Sequence, residues 1–281
     1  NALYYCPISG KIEDHNSGIA HIQNKKIVSI GDPMKRFSED PVRSLRAIRF
    51  SNKLNFKIDK NVKDAIYKKG YLLENISNAR LFDEFCKIFL SGIAEKNFNK
   101  LVSFNLNKYL ILTNPNGSEF SQNLIKEALI NTDKRVKNDQ SVTPGFLIAA
   151  MLWPEVLKRS RGDKEINLRK FFRSMDQILR NQQKITAIPR KFHSYIKDIW
   201  ILQLKLHSRI GKQPYKTSKH PRFRAAYDFL LIREKASKCK SNLGDWWTKF
   251  QKNNSASQKQ QIVNLKEVDS ENSFKKFGFQ E

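Results

Sequence analysis

The spacing of apolar and polar residues changes character near Gly31. Before it, short alternating stretches predict β-strands at 3–6, 11–14 and 26–30, with a turn at Gly10. After it, apolar residues recur at helical spacing, and proline and glycine separate the periodic stretches. The sequence therefore predicts a mostly α, multi-helical fold that follows a small β region. The predicted helices are 41–54, 60–69, 78–91, 94–104, 119–131, 145–158, 165–182, 191–208, 219–236 and 243–252.

Charge narrows the class of partner. The chain carries 52 lysines and arginines against 27 acidic residues, a net charge of +25. A chain this basic repels itself unless it meets a polyanion, so nucleic acid is the first candidate partner and an anionic membrane surface the second. No apolar run approaches the roughly 20 residues that span a bilayer, and no secretory signal is visible. We expect no membrane partner.

Cysteine and histidine usage indicates no metal centre. Cys6, Cys86 and Cys239 are scattered without metal-ligand or disulfide spacing, and the five histidines form no pair at helical spacing. We therefore expect a reducing, cytoplasmic setting and no metal site in this chain. Because the chain opens on Asn1 inside a predicted strand, we expect that it was processed or is a fragment.

The basic charge is concentrated between Arg190 and Lys240, a segment that contains 14 lysines and arginines and only three acidic residues. Lysine and arginine contact phosphates, and exposed aromatic rings stack on unpaired bases. The aromatic residues interleaved here, Trp200 and Phe229 among them, are interpreted mostly as core. The basic stripe as a whole is interpreted as an RNA-binding surface. Its candidate contacts are Arg190, Lys191, Lys197, Lys205, Arg209, Lys212, Lys216, Lys219, Arg222 and Arg224.

The most informative segment is the acid-and-arginine ladder from Glu39 to Arg49. At about 100° per residue, Arg43, Arg46 and Arg49 cover an arc of about 120° on a helix that is apolar nearly all round. Arginines placed among apolar groups need anionic or hydrogen-bonding partners. In one interpretation Asp40 is a helix N-cap and the arginines pair with nearby acids such as Glu39, Asp83 or Glu84.

The other interpretation of the ladder is a nucleotide reader. The Asp40 carboxylate would accept from an exocyclic amine, and the Arg43 guanidinium would donate to a ring nitrogen. Adenine and cytosine present that edge, whereas guanine and uracil present a carbonyl and an N–H. Arg46 and Arg49 would reach ribose and phosphates. Pattern alone leaves the two interpretations evenly matched.

The stretch from Glu39 to Phe50, Glu-Asp-Pro-Val-Arg-Ser-Leu-Arg-Ala-Ile-Arg-Phe, resembles a motif of the class II nucleotidyltransferases, the poly(A) polymerase and CCA-adding family. Preceding turns at Asp14 to Gly18 and at Gly31 match in order, and the segment beginning at Asn78 resembles the neck helix of the family. Three later stretches, beginning at Phe146, Asp198 and His220, favour the bacterial poly(A) polymerase branch. The resemblance covers residues 1–252.

The resemblance implies the roles of individual residues. Asp40, Arg43, Arg46 and Arg49 would contact the incoming nucleotide, supported by Glu39, Arg80 and Glu84. The carboxylate pair that holds Mg²⁺ in the family lies before residue 1, so the chain alone is expected to be inactive. Asp14 is a candidate third carboxylate, and a simple turn residue is as good an interpretation.

The expected organisation is a β remnant of the catalytic head (1–30), a neck that selects the base (31–92), a body (93–188), a basic RNA-binding region (189–252) and a flexible polar tail (253–281). The expected activity is template-independent transfer of AMP from ATP to RNA 3′ ends, by a monomer that uses Mg²⁺. The alternatives are a CCA-adding tRNA nucleotidyltransferase and a non-catalytic RNA-binding module.

Overall fold

The computed structural model describes residues 3–162, 166–237 and 242–263. It is 69% helical with two small sheets, which confirms the predicted mostly α fold. The chain divides into two compact units, Asn1–Leu110 and Ile111–Glu281. The predicted boundaries at residues 92 and 188 do not coincide with this division.

The strands of the first unit are short. β1 (Leu3–Tyr5) pairs antiparallel with β2 (Ile12–Asp14), as the alternating pattern predicts. Between them Gly10 has a positive φ of 65°, a conformation that glycine adopts without steric cost. A helix not predicted from the sequence, α1 (Gly18–Gln23), leads to β3 (Lys26–Ile27), which pairs parallel with the unpredicted β4 (Lys57–Ile58).

Five further α-helices belong to the first unit, together with 3₁₀ helices at Gly70–Asn75 and Asn107–Tyr109. The core they enclose is formed by fully buried side chains such as Leu45, Ile48 and Phe85. Two helices begin at aspartates that accept backbone N–H groups: Asp32 accepts from Met34 and Lys35, and Asp59 accepts from Asn61. The five are α2 (Pro33–Glu39), α3 (Val42–Leu54), α4 (Lys60–Lys69), α5 (Asn78–Phe89) and α6 (Ala94–Ser103).

The second unit is a helical bundle around buried tryptophans. Trp200 donates its indole N–H to the carbonyl of Ala149 at 2.9 Å, and Trp247 donates to the carbonyl of Leu206 at 2.9 Å. Each bond satisfies a donor that burial would otherwise leave unpaired. The helices are α7 (Glu119–Lys137), α8 (Pro144–Ser160), α9 (Leu168–Gln183), α10 (Arg190–His207), α11 (Gln213–Ser218), α12 (Phe223–Ala236), α13 (Leu243–Lys252) and α14 (Ser255–Val263).

The prediction of a flexible tail from residue 253 is wrong over residues 255–263. There α14 inserts Ile262, 5% exposed, into the cluster around Trp247. Gln258 donates its side-chain amide to the carbonyl of Phe250, and Gln261 donates to that of Trp246, both at 2.8 Å. This polar segment therefore contains one apolar residue that packs in the core and two amides that donate to carbonyls of α13. Residues 264–281 of the predicted tail lie outside the described residues.

In the described part of the chain, no helix combines the length and the apolar character that crossing a membrane requires.

Candidate nucleotide-binding and RNA-binding sites

Asp40 is held between two arginines. It follows the last residue of α2 in an extended conformation, φ −142°. Arg80, on α5, donates from Nη2 to both carboxylate oxygens, at 2.9 and 3.0 Å. Nε of Arg43 lies 3.8 Å from Oδ2. The carboxylate does not cap α3, whose N-cap is Pro41, so the N-cap interpretation of Asp40 is wrong.

The Asp40 carboxylate can still accept hydrogen bonds in this arrangement, and the Arg43 guanidinium can still donate them. A carboxylate has about four acceptor positions, and Arg80 occupies one on each oxygen. The Arg43 guanidinium approaches Asp40 through Nε, so its two terminal nitrogens face elsewhere, with no hydrogen bond to a described residue. An acceptor and a donor are therefore available side by side, as recognition of an amine-bearing base edge requires.

A cavity of about 260 Å³ adjoins the ladder. Arg43 and Arg46 line it together with Arg36, an arginine that sequence reasoning missed because it lies one helix before the motif. Arg46 is exposed and makes no hydrogen bond or ion pair with a described residue. The remaining lining is mainly apolar: Ile27, Val28, Ser29, Ile30, Phe37, Ala47, Phe50 and Val62.

Arg49 does not line this cavity. Its guanidinium carbon lies 4.4 Å from the centre of the adjoining Phe50 ring, and its buried Nε has no hydrogen-bond partner among the described residues. Phe50 does line the cavity, so Arg49 contacts a lining residue without lining the cavity itself. The structure thus brings Asp40, Arg43 and Arg80 into contact and places Arg46 in the lining of the adjoining cavity, whereas Arg49 does not line it.

The two predicted supporting glutamates have partners outside the ladder. Glu39 accepts from Arg36 at 2.8 Å. Glu84 is buried, and Oε1 accepts from Lys87 at 2.8 Å, while Oε2 has no hydrogen bond to a described residue. The interpretation in which these acids neutralise the ladder arginines is therefore wrong for both glutamates.

Asp14 makes the hydrogen bonds of a turn residue. Oδ1 accepts from the backbone N–H groups of Gly18 at 2.7 Å and Asn16 at 3.2 Å, and Oδ2 accepts from Ile19 at 2.9 Å. The Ile19 and Gly18 bonds hold the pKa of this carboxyl below its usual range. The residues that the structure describes contain no cluster of three or more potential metal ligands. They therefore do not fit a Mg²⁺ site.

Eight of the ten predicted RNA contacts are exposed. The other two are half-buried: Nζ of Lys197 lies 2.5 Å from Oδ1 of Asp176, and the guanidinium of Arg209 lies 5.6 Å from the Trp246 ring centre. Desolvation lowers the pKa of Arg209. The exposed ones are Arg190, Lys191, Lys205, Lys212, Lys216, Lys219, Arg222 and Arg224.

The interleaved aromatics are mainly core, as we predicted. Trp200 and Phe229 are fully buried, and Phe223 and Tyr227 are 7% and 6% exposed. Tyr195 differs because it is half-buried and the Arg222 guanidinium lies 5.0 Å from its ring centre.

Two family models match the chain. "Probable RNA and SrmB- binding site of polymerase A" matches residues 55–119, and "Polymerase A arginine-rich C-terminus" matches residues 164–276. Poly(A) polymerase I of Salmonella typhi is 35% identical over 262 residues, covering 89% of this chain and 56% of that protein. The CCA-adding enzyme of Anoxybacillus flavithermus is 38% identical over 101 residues, 36% of this chain and 25% of that protein.

A solved structure shows the same fold. The CCA-adding enzyme of Bacillus stearothermophilus in complex with CTP superposes with a TM-score of 0.51 at 21% identity, over 94% of this chain and 57% of that one. The chain spans just over half the length of the Salmonella relative. With the Asp40 and arginine cluster in place, these matches show that the chain belongs to the family of bacterial poly(A) polymerases and CCA-adding enzymes.

Proposed function

We propose that this chain selects the nucleotide and binds the RNA in an enzyme that transfers AMP from ATP to RNA 3′ ends. The observation that carries the proposal is the Asp40 carboxylate, held by Arg80 and flanked by Arg43 beside a cavity that Arg46 lines. The 35% identity to a poly(A) polymerase over 89% of the chain supports the choice of reaction.

In that reaction the RNA 3′-hydroxyl oxygen bonds to the α-phosphorus of ATP, and the bond to pyrophosphate breaks. The carboxylates that bind Mg²⁺ for this step would be supplied by residues preceding this chain, because its described residues do not offer such a site. Asp40 would accept from the exocyclic amine of adenine and Arg43 would donate to its ring nitrogen. Arg46 and Arg49 would contact the ribose and phosphates, Arg46 from the cavity lining and Arg49 only after its side chain turns away from the Phe50 ring.

The eight exposed lysines and arginines of the RNA-binding surface would supply phosphate contacts. Each contact displaces counterions, so affinity should fall steeply with salt, by a thousandfold or more over a fourfold rise in concentration for about six to ten contacts. Exposure and charge support this role without fixing a sequence preference.

The first test uses this chain and the full-length protein in parallel. With RNA, ATP and Mg²⁺, the full-length protein should add adenylate, whereas the chain should bind the RNA without extending it. Arg43→Ala in the full-length protein should reduce the preference for ATP over GTP by about tenfold or more, since a hydrogen bond to a charged group contributes about 1.5–3 kcal/mol. Lys68→Ala, at an exposed helix position of the first unit, is the matched control. Template-free tailing by the chain alone would contradict the proposal that the metal-binding carboxylates lie outside this chain.

A CCA-adding enzyme is the second candidate, because the match to one of 38% identity also covers part of the chain. The base-edge argument does not separate adenine from cytosine. Incorporation of CTP onto a tRNA end by the full-length protein would replace the first candidate by this one. A non-catalytic RNA-binding module would be favoured if Arg43→Ala left nucleotide use unchanged while RNA affinity fell.

A further inference from the structure

The second unit has a cavity of about 230 Å³ where α7, α10 and α12 meet the segment before α8. That volume is below the range of about 300–1,000 Å³ for drug-sized ligands, so the cavity suits a group about as large as one nucleobase. Val142, Phe146 and Ala225 supply apolar lining, and three arginines and one aspartate form the charged part of the lining, called its rim here. The rim residues are Arg135, Arg222, Arg224 and Asp228.

Asp228 repeats the arrangement found at Asp40. One guanidinium is close, with Nε of Arg224 in an ion pair 3.0 Å from Oδ1, and a second is more distant, with Nη1 of Arg135 at 3.8 Å from Oδ2. Arg135 is fixed independently, because its Nε donates to the carbonyl of Ser141 at 3.1 Å. Asp40 and Asp228 have similar side-chain exposures, 22% and 19%. Both carboxylates therefore keep acceptor positions beside a guanidinium that can still donate.

The wall of the cavity is the Tyr195 ring with the Arg222 guanidinium over it, 5.0 Å from the ring centre. The Tyr195 hydroxyl lies 3.4 Å from Oγ1 of Thr143, which caps α8. Gly145 permits this approach, since a Cβ there would lie 3.0 Å from ring carbons of Tyr195 and Phe192. Arg222 is exposed and forms no ion pair with a described residue, so its outer face is available for stacking.

We propose that this cavity binds one unpaired RNA nucleotide whose base carries an exocyclic amine, adenine or cytosine. The base would stack on the Arg222 and Tyr195 pair, Asp228 would accept from its amine, and Arg135 or Arg224 would donate to its ring nitrogen. The three arginines outweigh the single carboxylate, so the rim also attracts the adjoining phosphates. An acidic peptide would set its carboxylates against Asp228 and leave the stacking surface unused, which favours RNA.

The inference rests on the proposed RNA binding and adds a base preference to it. The test is fluorescence anisotropy of this chain with labelled oligo(A), oligo(C) and oligo(U) of eight nucleotides at fixed salt. The unaltered chain should bind oligo(A) and oligo(C) about tenfold more tightly than oligo(U), as expected for one base-edge pair. Asp228→Asn should remove that preference, because an amide both donates and accepts.

Arg222→Ala should weaken binding of oligo(A) by about fivefold or more through lost stacking, and it leaves the fold intact because the side chain is exposed. Arg169→Ala removes the same charge from an exposed position outside the cavity and is the control. It should lower affinity for all three oligonucleotides by the same small factor. Equal losses from Arg222→Ala and Arg169→Ala would overturn the proposal even if Asp228→Asn fails to fold.

Competition experiments distinguish RNA from other ligands that the cavity could bind. Displacement of oligo(A) by AMP at similar molar concentration would assign the cavity to a free nucleotide and overturn the RNA assignment. Displacement by an acidic peptide with no base preference would overturn it in favour of protein. Equal binding of all three oligonucleotides would refute the base preference while leaving RNA binding in place. Absence of any RNA binding would overturn both, and nucleotide choice at Asp40 would still be judged by the tailing assay.

Discussion

Replacing Arg80 by methionine should lower the discrimination between ATP and GTP much more than it lowers the free energy of unfolding. The Arg80 guanidinium donates from one nitrogen to both oxygens of Asp40, at 2.9 and 3.0 Å, and its side chain is 49% exposed. Methionine retains the unbranched stem and removes both hydrogen bonds. The Asp40 carboxylate would then keep only the Arg43 contact at 3.8 Å, and its orientation would no longer be fixed by hydrogen bonds.

The two effects differ in expected size. Exposed ion pairs contribute about 0.2–1 kcal/mol to folding, because water screens them and ordering two long side chains costs entropy. The free energy of unfolding should therefore fall by less than about 1 kcal/mol. Nucleotide choice depends on a fixed acceptor, and mispositioning a charge-assisted bond should cost about 1.4 kcal/mol, a tenfold loss of discrimination.

The assay pairs urea unfolding of the chain with kcat/KM for ATP and for GTP in the full-length protein. Lys235→Met is the control, since Lys235 pairs with Glu127 at 2.6 Å and the two exposures, 66% and 21%, resemble those of Arg80 and Asp40. The control should lower stability equally and leave discrimination unchanged. The positioning role of Arg80 would be refuted if Arg80→Met left the discrimination between ATP and GTP unchanged. It would also be refuted if Lys235→Met lowered that discrimination by as much as Arg80→Met does.

Three further predictions concern the fold and its titrating groups. Trp200→Phe removes the indole bond to Ala149 and part of a fully buried ring, and should lower the free energy of unfolding by about 2 kcal/mol in urea. Burial raises the pKa of Cys86 to about 11 while hydrogen bonds from Ser9 lower that of Cys6, so iodoacetamide at pH 8 should alkylate Cys6 much faster by peptide mass spectrometry. Desolvation, with two neighbouring guanidiniums, holds the pKa of His207 well below 6.5. The unfolded chain therefore takes up that proton first, and stability should fall as the pH drops below about 6.5, less so in His207→Gln.

The helical periodicity after Gly31 was a reliable guide because most long helices bury a continuous apolar face. The helices it missed, α1, α2, α11 and α14, are at most nine residues long, too short to display a repeating face. The strand β4 has two residues and exists because it pairs with β3, a contact between distant parts of the chain. Local pattern carries no information about such pairings.

In the candidate site, too, residue types could be interpreted from the sequence, whereas contacts between distant residues could not. The residue types at Asp40 and Arg43 predict which base edge they suit, and no long-range information is needed for that step. The contact that orients Asp40 comes from Arg80, 40 positions later, on a different helix. Sequence reasoning identified Arg80 as supporting only through the family motif. The lining of the second cavity brings together Arg135, Tyr195 and Asp228 from three different helices, so spacing along the chain offered no signal for it.

The net charge of +25 conceals two kinds of cation. Exposed lysines such as Lys212 and Lys216 lie on a solvated surface and can contribute affinity that any polyanion would draw on. Arg43, Arg80, Arg135 and Arg224 are instead held by carboxylates, and Arg222 by an aromatic ring. A cation whose geometry is fixed by a neighbour can distinguish one base edge from another, whereas a freely rotating one cannot. Substituting exposed lysines should therefore flatten the salt dependence of RNA binding without altering base choice, whereas substituting Arg135 or Arg224 should alter base choice as well.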